Sequence, residues 1–250
     1  KRDWGFCISH MLKMKMTDKY YQILIDSSLQ NGKLYWGSHF LKKNIKSKSL
    51  GNKDTILITS YLCHPSMANN ELSGPLIMSL LYKKISLLRN RKYNYLFLIV
   101  PETIGPIAYI HKNKDFLKKR ISSGFVLTCL GGPKKTIRYM ASRNNNSSLD
   151  LLMKNKSKKS KYIKYINFNP SGGSDERQFC AGELNLPIGQ FSKTTYGQYK
   201  QYHTSKDDKK FVKLNSFYET ANNLERIIID NENLKVLRRK IPYCELQLGK

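Results

Sequence analysis

From residue 55 onward the chain alternates short apolar runs with amphipathic stretches. Thr55–Leu62 (TILITSYL) is apolar and β-rich throughout, the pattern of a strand buried on both faces. Leu72–Leu88 then places Leu76, Leu80, Leu81, Ile85 and Leu88 at helical spacing. Tyr93–Val100 reads as a second buried strand, Gly105–Phe116 as a helix, and Gly124–Leu130 as a third strand stopped by Gly131-Gly132-Pro133. Thr136–Ser142 reads as an edge strand followed by a short basic helix, and Lys161–Phe168 as a further strand. Leu186–Phe191 is a last inner strand, Thr194–Lys209 a polar, tyrosine-rich loop, and Phe211–Asp230 a helix. Strands alternating with helices predict an α/β fold: a mostly parallel central sheet with helices on both faces.

Residues 1–52 read differently, as a small β domain. Tyr20–Asp26 alternates toward a strand, Asn31-Gly32 supplies a hairpin turn, and Leu34–Phe40 is the expected returning strand. Trp4-Gly5-Phe6-Cys7 forms an aromatic patch, and Lys42–Asp54 is a basic, polar linker. The expected organisation is therefore 1–52 as the small β domain, 53–232 as the α/β domain and 233–250 as the start of a C-terminal segment.

Composition narrows the functional classes. Hydrophobic content of 40% and charged content of 25% fit a soluble globular chain. No apolar run reaches the roughly 20 residues that span a bilayer, so no membrane partner is expected. The five cysteines (Cys7, Cys63, Cys129, Cys180, Cys244) are odd in number and form no CxxC, which points to a reducing, cytoplasmic compartment. Cys63 and Cys129, in apolar strand contexts, read as packing residues. The net charge of +26, from 44 basic and 18 acidic residues, raises nucleic acid as a partner. The lysines are scattered and no nucleic-acid motif accompanies them, so that is the lesser reading. A homo-oligomer stays open.

Four chemically capable side chains fall at strand ends or in the loops after them. His64 follows the first buried strand, Glu102 the second, Asp175 lies in a turn-rich NPSGGSDER loop, and His203 in the last polar loop. In a parallel sheet such positions share one edge and can converge. Two histidines with carboxylates, one left free as a base, are the parts of a hydrolytic zinc site. Asp175 and Glu176 are candidates to anchor a cationic amine on a substrate. Alternatively Asp175 pairs with Arg177 and shapes the loop. Tyr202, with Tyr196 and Tyr199, is a candidate for the pocket wall or for packing.

The segments CHPSMANNELSG, VPETIG, GGSDERQF and YGQYKQYHTSKDD, in that order, resemble the zinc aminopeptidase family with a phosphorylase/hydrolase-like fold. They are more similar still to its bacterial aminopeptidase-like branch, described beside surface-polysaccharide genes. The resemblance covers nearly the whole chain. It implies a further peptidase-domain segment before Lys1 and a winged-helix domain after Lys250. By position it makes His64 and His203 metal ligands, Glu102 the general base, and Asp207 the acidic residue after the last histidine. Asn70 falls where the family has a bridging aspartate, Thr103 on a ligating glutamate, Thr128 at a strand end that carries a ligating aspartate, and Ser66 on the aspartate that orients the first histidine. With three carboxylates replaced, one zinc ion is expected rather than two. Glu71 is the nearest candidate for the third ligand, the Asn70 amide oxygen the second, and Asp175 a further one. The expected activity is hydrolysis of a small peptide or amide-bearing substrate, an amino-sugar conjugate among the candidates. The alternatives are a catalytically inactive binding or scaffold protein and a basic nucleic-acid binder.

Overall fold

In a computed structural model the chain is described at residues 5, 7–45 and 51–234. Trp4 and Phe6 of the aromatic patch, the middle of the expected linker and the segment beyond residue 234 lie outside the described residues. Contacts divide the chain into two units, Lys1–Lys33 and Leu34–Lys250. The first carries one short helix, α1 (His10–Lys15), whose N-cap Ser9 accepts from the Leu12 N–H at 3.1 Å. The hairpin expected over residues 20–40 does not form: residues 16–36 contain no strand, and residues 20–34 are exposed. The alternation there has no face to bury, and an isolated two-stranded hairpin is marginal in water.

The second unit is built on a seven-stranded sheet in the order β1-β3-β2-β4-β7-β5-β6. Its strands are β1 (Gly37–Leu41), β2 (Thr55–Tyr61), β3 (Asn94–Val100), β4 (Ile121–Leu127), β5 (Ile137–Met140), β6 (Ile163–Ile166) and β7 (Ile188–Ser192). β3, β2, β4 and β7 run parallel, β1 pairs antiparallel with β3, and β5 antiparallel with β7. Gly37–Leu41, inside the stretch read from sequence as a separate β domain, is thus hydrogen-bonded into the main sheet. β5 is interior, lying between β7 and β6, and not the expected edge strand. Its Ile137, Tyr139 and Met140 are all buried.

Successive residues of the central strands serve opposite faces, as the pleat requires. Ile56 and Ile58 of β2 pack with α2 (Ser73–Ser86) and α6 (Leu214–Asn233) through Ile77, Leu81, Ile85, Leu224 and Ile228. α4 (Ser148–Lys159) joins that layer through Leu149 and Met153. Leu57 turns the other way, into a core with α3 (Ile104–Arg120) and the short α5 (Glu176–Phe179). The sheet with a parallel centre and helices on both faces, expected from the apolar runs, is therefore what forms.

The chain passes from β2 through α2 to β3 on one side, then through α3 to β4 on the other. The crevice at the carboxyl end of β2 is the switch point where open α/β sheets place ligands. α2 enters it very close to the sheet. A Cβ on Gly74 would lie 2.1 Å from Ser60 Oγ and 2.5 Å from the Leu127 carbonyl oxygen. Glycine in the Ser73-Gly74 pair is thus what lets the helix start sit against β2 and β4. A π-helical turn, Ala68–Leu72, leads into α2 and carries Asn69, Asn70 and Glu71, all buried. Such single turns widen a helix by one residue and recur at functional sites.

Candidate functional site

The ladder of β2 ends with the Leu62 N–H donating to the Val100 carbonyl, after which Cys63 and His64 leave the sheet. The π-helical turn brings Glu71 back beneath them. Its Oε1 lies 2.8 Å from His64 Nδ1, and its Oε2 accepts from the Cys63 N–H at 2.8 Å. Glu71 is 1% exposed, so its carboxylate is held almost dry against the imidazole. The expected lack of an orienting partner, inferred from Ser66, is corrected by this contact: Glu71 takes that place.

Cys63 is exposed, not packed as its apolar neighbours suggested. Its Sγ sits 3.3 Å from His64 Nδ1 and accepts from the Glu102 N–H at 3.3 Å. Cys63, His64 and Glu71 each offer a ligand atom, and these atoms lie within 4.8 Å of one another. Burial, the leading cause, raises the Cys63 thiol, with the nearby Glu71, Glu102 and Asp175 charges adding to it. The adjacency of Cys63 to a histidine just beyond a strand end was the available signal.

Glu102 stands at the end of β3. Ser174 Oγ donates to its Oε1 at 2.6 Å, an anchor from the GGSDER loop that sequence reading did not single out. Thr103 next to it has φ of 64°, a conformation rare for a β-branched residue, and its N–H donates to Asp175 Oδ1 at 2.8 Å. Ser66, Cys129 and His203 also have positive φ, so strained backbone gathers in the segments that form this crevice.

Asp175 is 1% exposed, and its Oδ2 is buried without a hydrogen-bond partner among the described residues. Burial pushes its pKa up to about 8; the Thr103 N–H opposes this, and the Glu102, Glu176 and Glu71 charges add to it. Glu176 is also pushed up, to about 7, chiefly by burial. Its Oε1 accepts from the Ser174 N–H and its Oε2 from Gln190 Nε2, so both oxygens are engaged inside the loop. Arg177 directs Nε to the Ser174 carbonyl, at 3.4 Å. No ion pair joins it to Asp175 among the described residues.

These two shifts give a pH dependence. Both acids have folded pKa values above the ordinary 3.8 and 4.5, so the folded state binds more protons. Their contribution is fully present below about pH 4 and is lost as pH rises through 7 and 8. At about 1.4 kcal/mol per pH unit for each group, metal-free protein is expected to lose several kcal/mol of unfolding free energy between pH 5 and pH 8.5 in urea titrations. Asp175→Asn should flatten the upper half of that fall; an unchanged slope in this variant would contradict the assignment.

His203 approaches from the loop after β7, its ring centroid 5.5 Å from that of His64. Tyr202 stacks on it at 3.9 Å. Asn70 donates through Nδ2 to Glu71 Oε1 at 3.3 Å, while its Oδ1 faces Cys129 Sγ at 3.7 Å. Asn69 was not singled out by the sequence and is a hub: its Oδ1 accepts from the Gly131 and Gly132 N–H groups, and its Nδ2 donates to the Thr194 carbonyl. Thr128 is buried and hydrogen-bonded to the Tyr61 hydroxyl. His64, Glu71, Glu102 and Asp175 are thus brought together, with His203 beside them; Glu176 and Arg177 support the loop behind.

The donor set of Cys63, His64 and Glu71 could hold a metal ion. Sulfur, imidazole and carboxylate are zinc ligands. The buried, unpartnered Asp175 oxygen and the carboxylates that raise its pKa make a locally acidic centre in a chain of charge +26, which favours a cation.

The seven-stranded mixed sheet flanked by helices is similar to the fold of aminopeptidases. A zinc aminopeptidase from Bacillus subtilis superposes with a TM-score of 0.62 at 15% identity, over 80% of this chain and 50% of that one, a likeness of fold alone. The chain belongs to the family described as "Domain of unknown function (DUF4910)", whose sequence model matches residues 7–233. A Clostridium acetobutylicum protein, named as a candidate polysaccharide biosynthesis protein with aminopeptidase-like domain, is 34% identical over 253 residues. That match covers 100% of this chain and 55% of the relative. A crystal structure of a candidate peptidase from the same organism gives a TM-score of 0.79 at 33% identity, over 100% of this chain and 56% of that one. The chain therefore spans about half the length of these relatives. Among the described residues no helix is long and apolar enough to cross a membrane.

Proposed function

We propose that this chain carries the active centre of a zinc-dependent amide or peptide hydrolase, with one ion held through His64, His203 and Glu71 and with Glu102 as general base. The observation that carries the reading is the convergence on one crevice of the Cys63–His64–Glu71 cluster and Glu102, joined by the contact of the Glu102 N–H with Cys63. When bound, zinc supplies a Lewis acid that acidifies water and polarises the scissile carbonyl.

The chain's own residues do the rest. Ser174 holds Glu102 by Oε1, and Oε2, which has no hydrogen bond among the described residues, would accept a proton from attacking water and return it to the leaving amine. Glu71 Oε2 accepts from the Cys63 N–H and so fixes the turn that carries His64. The free Oδ2 of Asp175 is an acceptor for a substrate ammonium, the group that marks an N-terminal residue or a free amino sugar. Tyr202, stacked on His203, walls the crevice. One Clostridium acetobutylicum relative is named for polysaccharide biosynthesis and the other as a candidate peptidase; the substrate class we propose is a small peptide or an amino-sugar conjugate.

Metal analysis of the purified protein is expected to give one zinc per chain, and aminoacyl anilides or amino-sugar amides are expected to be turned over in a zinc-dependent way. Two tightly held ions, or none, would overturn the single-ion reading. Bound zinc without turnover would favour a binding protein on the same fold. The Thr128 hydroxyl closed on Tyr61, where a ligating carboxylate would stand, favours that second reading.

A further inference from the structure

We propose that Cys63 gives its sulfur to the metal, making the centre a thiolate–imidazole–carboxylate site rather than one of nitrogen and oxygen alone. The inference rests on the proposed single-metal reading and deepens it. Three atoms face one another: Cys63 Sγ, His64 Nδ1 and Glu71 Oε1, with 3.3 Å from sulfur to nitrogen and 2.8 Å from nitrogen to oxygen. An ionised Glu71 only accepts, Nδ1 carries at most one proton, and Sγ accepts from the Glu102 N–H while keeping its own S–H. The three ligand atoms lie within 4.8 Å of one another, close enough to share one cation.

The surroundings favour the sulfur as a ligand. A backbone N–H aimed at Sγ stabilises negative charge there, as outer hydrogen bonds do for metal ligands. The Cys63 N–H is in turn tied to Glu71 Oε2 at 2.8 Å, so the turn that carries the sulfur is held by the same carboxylate that holds the imidazole. Cys63 is exposed, so an ion can reach it from solvent. As the sulfur–metal bond forms, the S–H bond breaks and its proton passes to solvent. A thiolate in the set selects zinc or cobalt over magnesium or calcium.

Cobalt(II) alone, added to metal-stripped protein, tests this. The wild type is expected to bind one ion and show a near-ultraviolet sulfur-to-cobalt charge-transfer band. Cys63→Ser should abolish the band and weaken cobalt binding about tenfold or more. In the wild type, zinc should slow alkylation of Cys63, read by mass spectrometry, a measurement that needs no variant to fold. Cobalt bound without the band, a band that survives in Cys63→Ser, or alkylation indifferent to zinc would each overturn the proposal while leaving the metal site standing. Failure of the wild type to bind either ion would overturn the metal reading itself, and this inference with it.

Discussion

Glu102→Gln is expected to reduce turnover roughly 100- to 10,000-fold, the range that a positioned general base contributes. The side chain is nearly isosteric, and the Ser174 hydroxyl that donates to Oε1 at 2.6 Å can still donate to an amide oxygen. The Glu102 N–H that reaches Cys63 belongs to the backbone and is untouched. Fold and metal content should therefore persist, and the loss should fall on kcat rather than KM, because proton transfer occurs only on the way to the transition state. Ser174→Ala gives the graded companion result, a smaller loss of kcat from a base that is present but less well held. Steady-state kinetics with parallel zinc analysis separates these outcomes. If Glu102→Gln turns over substrate at the wild-type rate, the base lies elsewhere, and Asp175, with its free oxygen and pKa of about 8, is the next candidate.

The sheet was largely legible because burial on both faces leaves continuous apolar runs, and β2, β3 and β4 each have one. The positions of His64, Glu102 and His203 followed from the same reading, since strand ends in a parallel sheet share an edge. Partnership within the crevice was not legible. Sequence names Glu71 as the nearest candidate for a third ligand but does not place it against His64; the π-helical turn rotates it there, and no residue pattern announces a π-helical turn. Cys63 looked apolar because β2 before it is apolar, yet the strand stops two residues earlier and the side chain emerges into the site. The hairpin expected from Asn31-Gly32 shows the converse failure. Turn chemistry and alternation were both present, but without a face to bury they fix no strand. Local pattern thus identified what the main core requires, and missed what depends on contacts between distant segments.

Asp207 is the strongest case of such a contact, and Asp207→Ala is expected to cost about 3–5 kcal/mol of unfolding free energy. The residue is fully buried, and it caps the π-helical turn from 137 and 138 positions away along the chain. Its Oδ1 accepts from the Asn69 N–H at 2.7 Å and its Oδ2 from the Asn70 N–H at 3.0 Å. These are helix-start donors that have no partner within the turn itself, and a carboxylate suits them electrostatically. Tyr199 adds a hydroxyl to Oδ2 at 3.1 Å, and the Ala68 N–H reaches the Asp207 carbonyl oxygen at 2.8 Å. Alanine would leave two buried N–H groups and one hydroxyl unpaired, and each lost bond to a charged acceptor is worth about 1.5–3 kcal/mol. Asparagine retains one acceptor oxygen but turns an amide toward donors, so Asp207→Asn should fall between wild type and alanine. The same cap joins the loop of His203 to the turn of Glu71, so the alanine variant is also expected to bind zinc about 10- to 100-fold more weakly. Urea denaturation with and without zinc reads both effects. Equal stability of Asp207→Ala and wild type would mean that the buried N–H groups find other acceptors. Lost stability with unchanged zinc affinity would mean that His203 is held by its own loop, with Tyr202 stacked on its ring, and not by the cap.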